Sequence, residues 1–113
     1  LVAALTASGL PTEEFHFLGF LPHKSGQRRK RLEQMGALHG TCVLYESPYR
    51  ILKLLEELRD VLPHRPVVLA RELTKKFEEF LRGTPGDLIE HAKQRPLKGE
   101  FVVLVAPAQN VAA

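Results

Sequence analysis

Polar and charged residues that could take part in binding or catalysis lie in three short segments, each directly after or before an apolar run. The segments are Tyr45 to Pro48, Ala70 to Thr74, and Lys98 to Phe101. Open α/β sheets bind ligands at strand ends, so these segments predict a ligand site. Two plainer interpretations stay open, because Glu46 can be a solvated carboxylate beside a Ser47-Pro48 helix cap and Arg71 can pair with Glu72 at the surface.

The sequence contains no glycine-rich phosphate loop, no paired-histidine metal spacing and no serine nucleophile motif. Its five histidines are scattered along the chain. The single cysteine, Cys42, lies in an apolar run, which indicates core packing and excludes an internal disulfide. We therefore expect no metal site, and no catalytic residue is identified.

A cluster of cations is the clearest charge feature in a chain of formal net charge +3. Five cations fall within eight residues without an acidic residue between them, namely Lys24, Arg28, Arg29, Lys30 and Arg31. The cluster is either a solvated helix face or a phosphate-binding surface. Aromatic side chains are absent from it, although Phe17 and Phe20 are nearby, so contact with a nucleic-acid backbone is expected rather than base readout.

The 113 residues suffice for one domain, and 44% hydrophobic with 26% charged residues is typical of a globular chain. Apolar patterning predicts strands at 15–21, 41–45, 66–70, 77–81 and 101–106, and helices at 25–35, at 48–62 and from 84 onward. Alternating strands and helices, with strands apolar on both faces, predict a layered α/β domain. We expect a single α/β/α domain with a mixed sheet.

The ends of the chain carry further expectations. Residues 1–9 resemble the end of a helix that continues from a preceding segment, and 107–113 resemble a flexible tail, which leaves one domain over 1–106. No apolar stretch has the length of a membrane span, and no signal peptide is recognisable. A cytoplasmic protein without membrane contact is expected.

Five sequence motifs follow one another along the chain. They are Gly19 to Gly26, Tyr45 to Arg50, Ala70 to Glu79, Arg82 to Thr84, and Lys98 to Phe101. Together they closely resemble the bacterial small-subunit ribosomal RNA cytidine ribose 2′-O-methyltransferases, members of the tetrapyrrole (corrin/porphyrin) methylase superfamily. The resemblance extends from about Leu1 to Ala106.

The resemblance implies a two-domain class III methyltransferase with S-adenosylmethionine between its α/β domains. This chain would be the carboxy-terminal domain, inactive alone because the cofactor loop belongs to the other domain. The resemblance places these residues nearest the cofactor, largely through backbone groups: Tyr45, Glu46, Arg71, Glu72, Gly99, Glu100 and Phe101. Contacts with small-subunit ribosomal RNA would come from the five clustered cations and from Lys75 and Lys76. A homodimer is also implied.

Two alternatives remain at this point. A precorrin-type methyltransferase of the same superfamily would bind an anionic tetrapyrrole, for which cations are also suited. A non-catalytic RNA-binding or dimerisation module would need no cofactor loop. The general base for ribose methylation stays unassigned, although Glu46 and Glu72 are chemically suited to it.

Overall fold

Strands rich in valine, leucine and phenylalanine alternate with helices that carry one apolar stripe. The computed structural model describes residues 8–10, 14–72 and 78–108. In that part of the chain the elements are β1 (Phe15–Gly19), α1 (Ser25–Gly36), β2 (Thr41–Glu46), α2 (Ile51–Val61), β3 (Val67–Glu72), β4 (Glu78–Gly83), α3 (Pro85–Gln94) and β5 (Phe101–Val105). The predicted opening helix, 1–9, lies outside the described residues except for Ser8 and Gly9. The predicted tail, 107–113, lies outside them except for Pro107 and Ala108.

The strands form one five-stranded sheet in the order β1-β2-β5-β3-β4. β1 and β2 are parallel, and the pairs β2 with β5, β5 with β3 and β3 with β4 are antiparallel. The late strand β5 therefore lies at the centre, between β2 and β3. This mixed sheet confirms the predicted α/β fold class.

The two faces of the sheet have separate cores. All three described helices pack on one face, where Leu32 of α1, Leu54 of α2 and Leu88 of α3 meet alternate residues of β2, β3 and β5. On the other face Val43 and Leu104 are fully buried in a smaller cluster against which Leu10 packs. Alternation thus makes the central strands apolar on both sides, as expected for a layered domain.

Element boundaries differ from prediction by one to three residues, and two of the differences have a clear local cause. β1 ends at Gly19, which has a φ of +67°, two residues before the predicted end. α2 begins at Ile51 instead of 48, and Ser47 is not a side-chain cap. The amide of Arg50 donates to the Ser47 carbonyl at 3.1 Å, so a turn precedes the helix and this amide is unavailable to the Ser47 hydroxyl. The Thr84-Pro85 cap of α3 is confirmed, with a reciprocal capping box to Asp87.

Candidate functional site

The three segments with candidate site residues, 45–48, 70–74 and 98–101, meet at one edge of the sheet. Phe101 at the start of β5 pairs with Glu46 at the end of β2 and with Arg71 near the end of β3. Because β5 is antiparallel to both neighbours, its first residues lie beside their last ones. The sheet therefore brings the three segments together, and whether their residues bind a cofactor stays a prediction.

Arg71 of β3 contacts residues at the start of β5 and near the start of β4. Its Nη1 donates to the Lys98 carbonyl oxygen at 2.7 Å, and its Nη2 pairs with Glu79 Oε1 at 3.0 Å. The guanidinium carbon lies 5.8 Å from the centroid of the Phe101 ring. Arg71 therefore has an ion-pair partner, and that partner is Glu79. The Glu72 side chain lies outside the described part of the structure, so the expected Arg71–Glu72 pair stays a prediction. The partner Glu79 was missed because it is opposite Arg71 only through the β3–β4 register.

Two further features mark this edge, an unpaired donor on Arg71 and a tight turn at Gly99. The Nε nitrogen is buried and has no hydrogen-bond partner among the described residues. An unpaired buried donor is unfavourable. Gly99 has a φ of +86°, and a Cβ there would lie 3.3 Å from Arg71 Cδ, so the turn is fitted to glycine. Gly99 and Glu100 are both exposed, which leaves their backbone accessible.

A buried ion cluster lies beside the edge. The Arg28 side chain is only 1% exposed, and its Nε and Nη2 donate to Glu57 Oε1 at 2.9 and 2.7 Å. Its Nη1 donates to the Pro22 carbonyl oxygen at 3.3 Å, and Nη2 lies 3.6 Å from Glu46 Oε2. Burial opposes the charged form, but hydrogen bonding to Glu57 and the charges of Glu57 and Glu46 hold the pKa of Arg28 above its ordinary value.

Arg28 is buried and paired, so it is not part of an exposed cationic surface, and its predicted contact with RNA stays a prediction. Arg28, Leu32 and Met35 follow one another at helical spacing and are the buried residues of α1. That spacing was a signal in the sequence for an inward-facing arginine, and Glu57, between the buried Leu54 and Leu58, was the missed partner.

The remaining cations of the cluster lie on the surface. Lys24, Arg29, Lys30 and Arg31 are exposed, and Arg29 pairs with Glu33 on the next turn of α1 at 3.4 Å. Such a pair at the surface is weak and remains open to competition from a phosphate. RNA contact by these residues stays a prediction. Lys75 and Lys76 lie outside the described residues.

A cleft of about 420 Å³ opens between the ends of β1 and β2. It is lined by Phe20, Leu21, His23, Arg28, Glu46, Ser47 and Arg50. Glu46 is 4% exposed, and its Oε1 accepts a hydrogen bond from the Ser47 amide at 2.9 Å. The interpretation of Glu46 as a solvated carboxylate is therefore wrong.

A cluster of three aromatic rings adjoins this cleft, and Phe20 is the member that lines it. Tyr45 lies on the face of the sheet opposite the helices, with its ring centroid 5.2 Å from that of Phe17 and 5.7 Å from that of Phe20. Phe17 and Phe20 are both exposed. Tyr45, predicted to contact the cofactor, thus supports an aromatic surface beside the strand ends.

Other kinds of site find little support in the described part of the chain. No group of three or more histidine, cysteine or acidic residues there is placed to hold a metal ion. Within the same residues no helix is long and apolar enough to cross a membrane. Burial raises the pKa of the Cys42 thiol to about 11, which agrees with core packing.

Comparison with known proteins adds independent findings. The sequence model of the family described as Tetrapyrrole (Corrin/Porphyrin) Methylases matches residues 1–89. A relative from Halalkalibacterium halodurans, named Ribosomal RNA small subunit methyltransferase I, is 47% identical over 104 residues, which is 92% of this chain and 36% of the relative. A protein of the same name from Coprothermobacter proteolyticus is 48% identical over 110 residues, covering 97% of this chain and 48% of the relative.

A crystal structure of the methyltransferase CobJ matches with a TM-score of 0.67 at 24% identity, over 95% of this chain and 47% of CobJ. The mixed sheet with its meeting strand ends is thus a fold found in a methyltransferase. The chain belongs to the tetrapyrrole (corrin/porphyrin) methylase family. It spans less than half the length of these curated relatives.

Proposed function

We propose that this chain is the carboxy-terminal domain of an S-adenosylmethionine-dependent methyltransferase that methylates the ribose 2′-hydroxyl of a cytidine in small-subunit ribosomal RNA. The observation that carries the proposal is the meeting of Glu46, Arg71 and Phe101 at one sheet edge in a methylase-family fold. The names of the curated relatives support ribosomal RNA as the substrate. Action in the cytoplasm, as a homodimer, is part of the same proposal.

The residues at the edge suit the methyl donor. Arg71 Nε has no acceptor among the described residues, so it is a candidate donor to the cofactor in the complete site, and the exposed residues Gly99 and Glu100 offer further polar contacts. Because the family relatives are about twice the length of this chain or longer, a preceding domain would supply the rest of the site. We therefore expect the chain alone to be inactive.

When bound, the cofactor supplies an electrophilic methyl group on a sulfonium. Transfer to a ribose hydroxyl requires in-line alignment of the attacking oxygen, so positioning of the RNA is the main task of the protein. Lys24, Lys30 and Arg31 are exposed cations suited to phosphate contacts. The general base stays unassigned.

The test uses the full polypeptide containing this chain, with labelled S-adenosylmethionine and small ribosomal subunits. Ribose methylation is recognised because a 2′-O-methyl group protects the adjacent phosphodiester from alkali, and nucleoside analysis then identifies the base. We expect label in alkali-resistant cytidine, and none with this chain alone. Label in an added tetrapyrrole but not in RNA would favour the precorrin alternative, and RNA binding without transfer would favour the binding module.

Two sets of substitutions test the cofactor-binding and RNA-binding residues separately. Arg71→Lys is expected to raise KM for the methyl donor, whereas Lys30→Glu with Arg31→Glu is expected to raise KM for the ribosomal subunit. Each lost phosphate contact should also reduce the slope of log affinity against log salt by roughly 0.7–0.9. Lys93→Glu on α3 is the control for charge reversal, because Lys93 lies outside the basic cluster and pairs with Glu90 at 3.0 Å.

A further inference from the structure

The cleft between β1 and β2 combines an aromatic wall, cationic residues and an anionic floor. Phe20 is 69% exposed although it is a large apolar ring, and it lies against Tyr45 instead of in the core. Phe17 supports Tyr45 in turn with an edge contact. A ring held in place at the mouth of a cleft presents a stacking surface for another planar group.

The floor of the cleft is the Glu46 carboxylate. Its Oε1 is held by the Ser47 amide, and Oε2 lies 3.6 Å from Arg28 Nη2, beyond hydrogen-bond length. Arg28 makes its short contacts to Glu57 instead. Since each carboxylate oxygen accepts two hydrogen bonds, Glu46 retains acceptor capacity toward the cleft.

The other lining residues favour a phosphate-linked ligand. His23 and Arg50 line the same cleft as Phe20, and the exposed Lys24 follows directly in the chain. In the described part of the chain neither Lys24 nor Arg50 has an ion-pair partner. An aromatic face combined with unpaired cations is the arrangement that binds unpaired nucleotides.

We infer that this cleft receives the target nucleobase, with Phe20 stacking on the ring and Glu46 selecting cytosine through its exocyclic amino group. The inference rests on the proposed function and assigns it a specificity-determining residue. A carboxylate accepts from the cytosine N4 amino group, whereas uracil presents the O4 acceptor at the same position.

Binding tests the inference without relying on methyl transfer. Hexanucleotides of cytidine and of uridine are titrated against the protein by fluorescence anisotropy. We expect the cytidine oligomer to bind tighter by roughly 5- to 100-fold. Phe20→Ala should weaken both by about fivefold or more, while Phe15→Ala, an exposed ring outside the cleft, should change neither.

Glu46→Gln should bring the cytidine-to-uridine ratio close to one, because an amide presents a donor as well as an acceptor. Glu57→Gln is the matched control: it perturbs the same Arg28 but does not line this cleft, so the ratio should persist even where overall affinity falls. A ratio unchanged by Glu46→Gln, or equal binding of the two oligomers by the unmodified protein, would overturn the assignment of Glu46.

Kinetics with the full polypeptide test the other possible occupant of the cleft, which is the methyl donor. If Phe20→Ala raised KM for S-adenosylmethionine and left KM for the ribosomal subunit unchanged, the cleft would hold the methyl donor and the inference would be wrong. If the unmodified protein transferred no methyl group to RNA, the proposed function would fail, and the oligomer titrations would still report on the cleft.

Discussion

Replacing Arg28 with methionine is the sharpest test of the buried ion cluster. The change keeps a long side chain on the inner face of α1 but removes the three donors to Glu57 and Pro22. Glu57 and Glu46, which are 19% and 5% exposed, then lose their cation. Breaking a buried pair from one side costs about 3–5 kcal/mol, and because Glu57 reaches some water we expect about 3 kcal/mol.

The assay is urea unfolding followed by circular dichroism. With a slope of about 1.5 kcal/mol/M, a loss of about 3 kcal/mol lowers the midpoint by about 2 M. Arg29→Met is the matched control, since Arg29 is the next residue and its ion pair with Glu33 is exposed. That variant should change the free energy of unfolding by about 0–1 kcal/mol.

A double substitution separates two contributions to the lost stability, the missing ion-pair attraction and the cost of leaving a buried carboxylate unpaired. Arg28→Met combined with Glu57→Leu should recover about half of the loss or more, because an apolar pair replaces a buried charged one. If Arg28→Met unfolded at the same urea concentration as Arg29→Met, the buried cluster would not contribute to stability and the reasoning would be refuted.

Three further changes test other parts of the fold. Gly40→Ala should destabilise by about 2–3 kcal/mol in urea, because φ is +89° and the added Cβ would overlap the Glu14 carbonyl, whereas Gly26→Ala, with open space, should not destabilise. Thr84→Ala removes the α3 cap and should cost about 1 kcal/mol by thermal unfolding; no loss would contradict the cap. Cys42 should resist thiol reagents at pH 8 until urea unfolds the protein, and stability should fall as pH rises from 9.0 toward about 11, since the unfolded thiol ionises first; Cys42→Ser should abolish that part of the pH dependence.

Local patterns in the sequence predicted the existence and type of the described elements. The apolar stripe of α2 and the valine-rich run of β5 depend on neighbours within one turn or one strand, so they are visible without tertiary information. The Thr84-Pro85 cap was likewise local. Ser47 carried a similar signal but is not a side-chain cap, because its carbonyl oxygen accepts from the amides of Arg50 and Ile51.

The sequence also indicated which segments carry the candidate site. Motifs at the ends of β2 and β3 and before β5 identified residues that the sheet brings together, and the match to the methylase family agrees with them. Their adjacency depends on β5 lying between β2 and β3, a pairing of residues more than 25 positions apart.

Only the tertiary structure decided what the charged side chains do. Arg28 and Arg29 are chemically identical neighbours, yet one is buried against Glu57 and the other is exposed, because helical rotation turns them to different sides of α1. Glu46 keeps acceptor capacity toward the cleft because Arg28 makes its short contacts to Glu57 of α2 and lies 3.6 Å from Glu46. Residue type and local periodicity therefore determined the elements and the site segments, while long-range packing determined which charges form the core and which remain for a ligand.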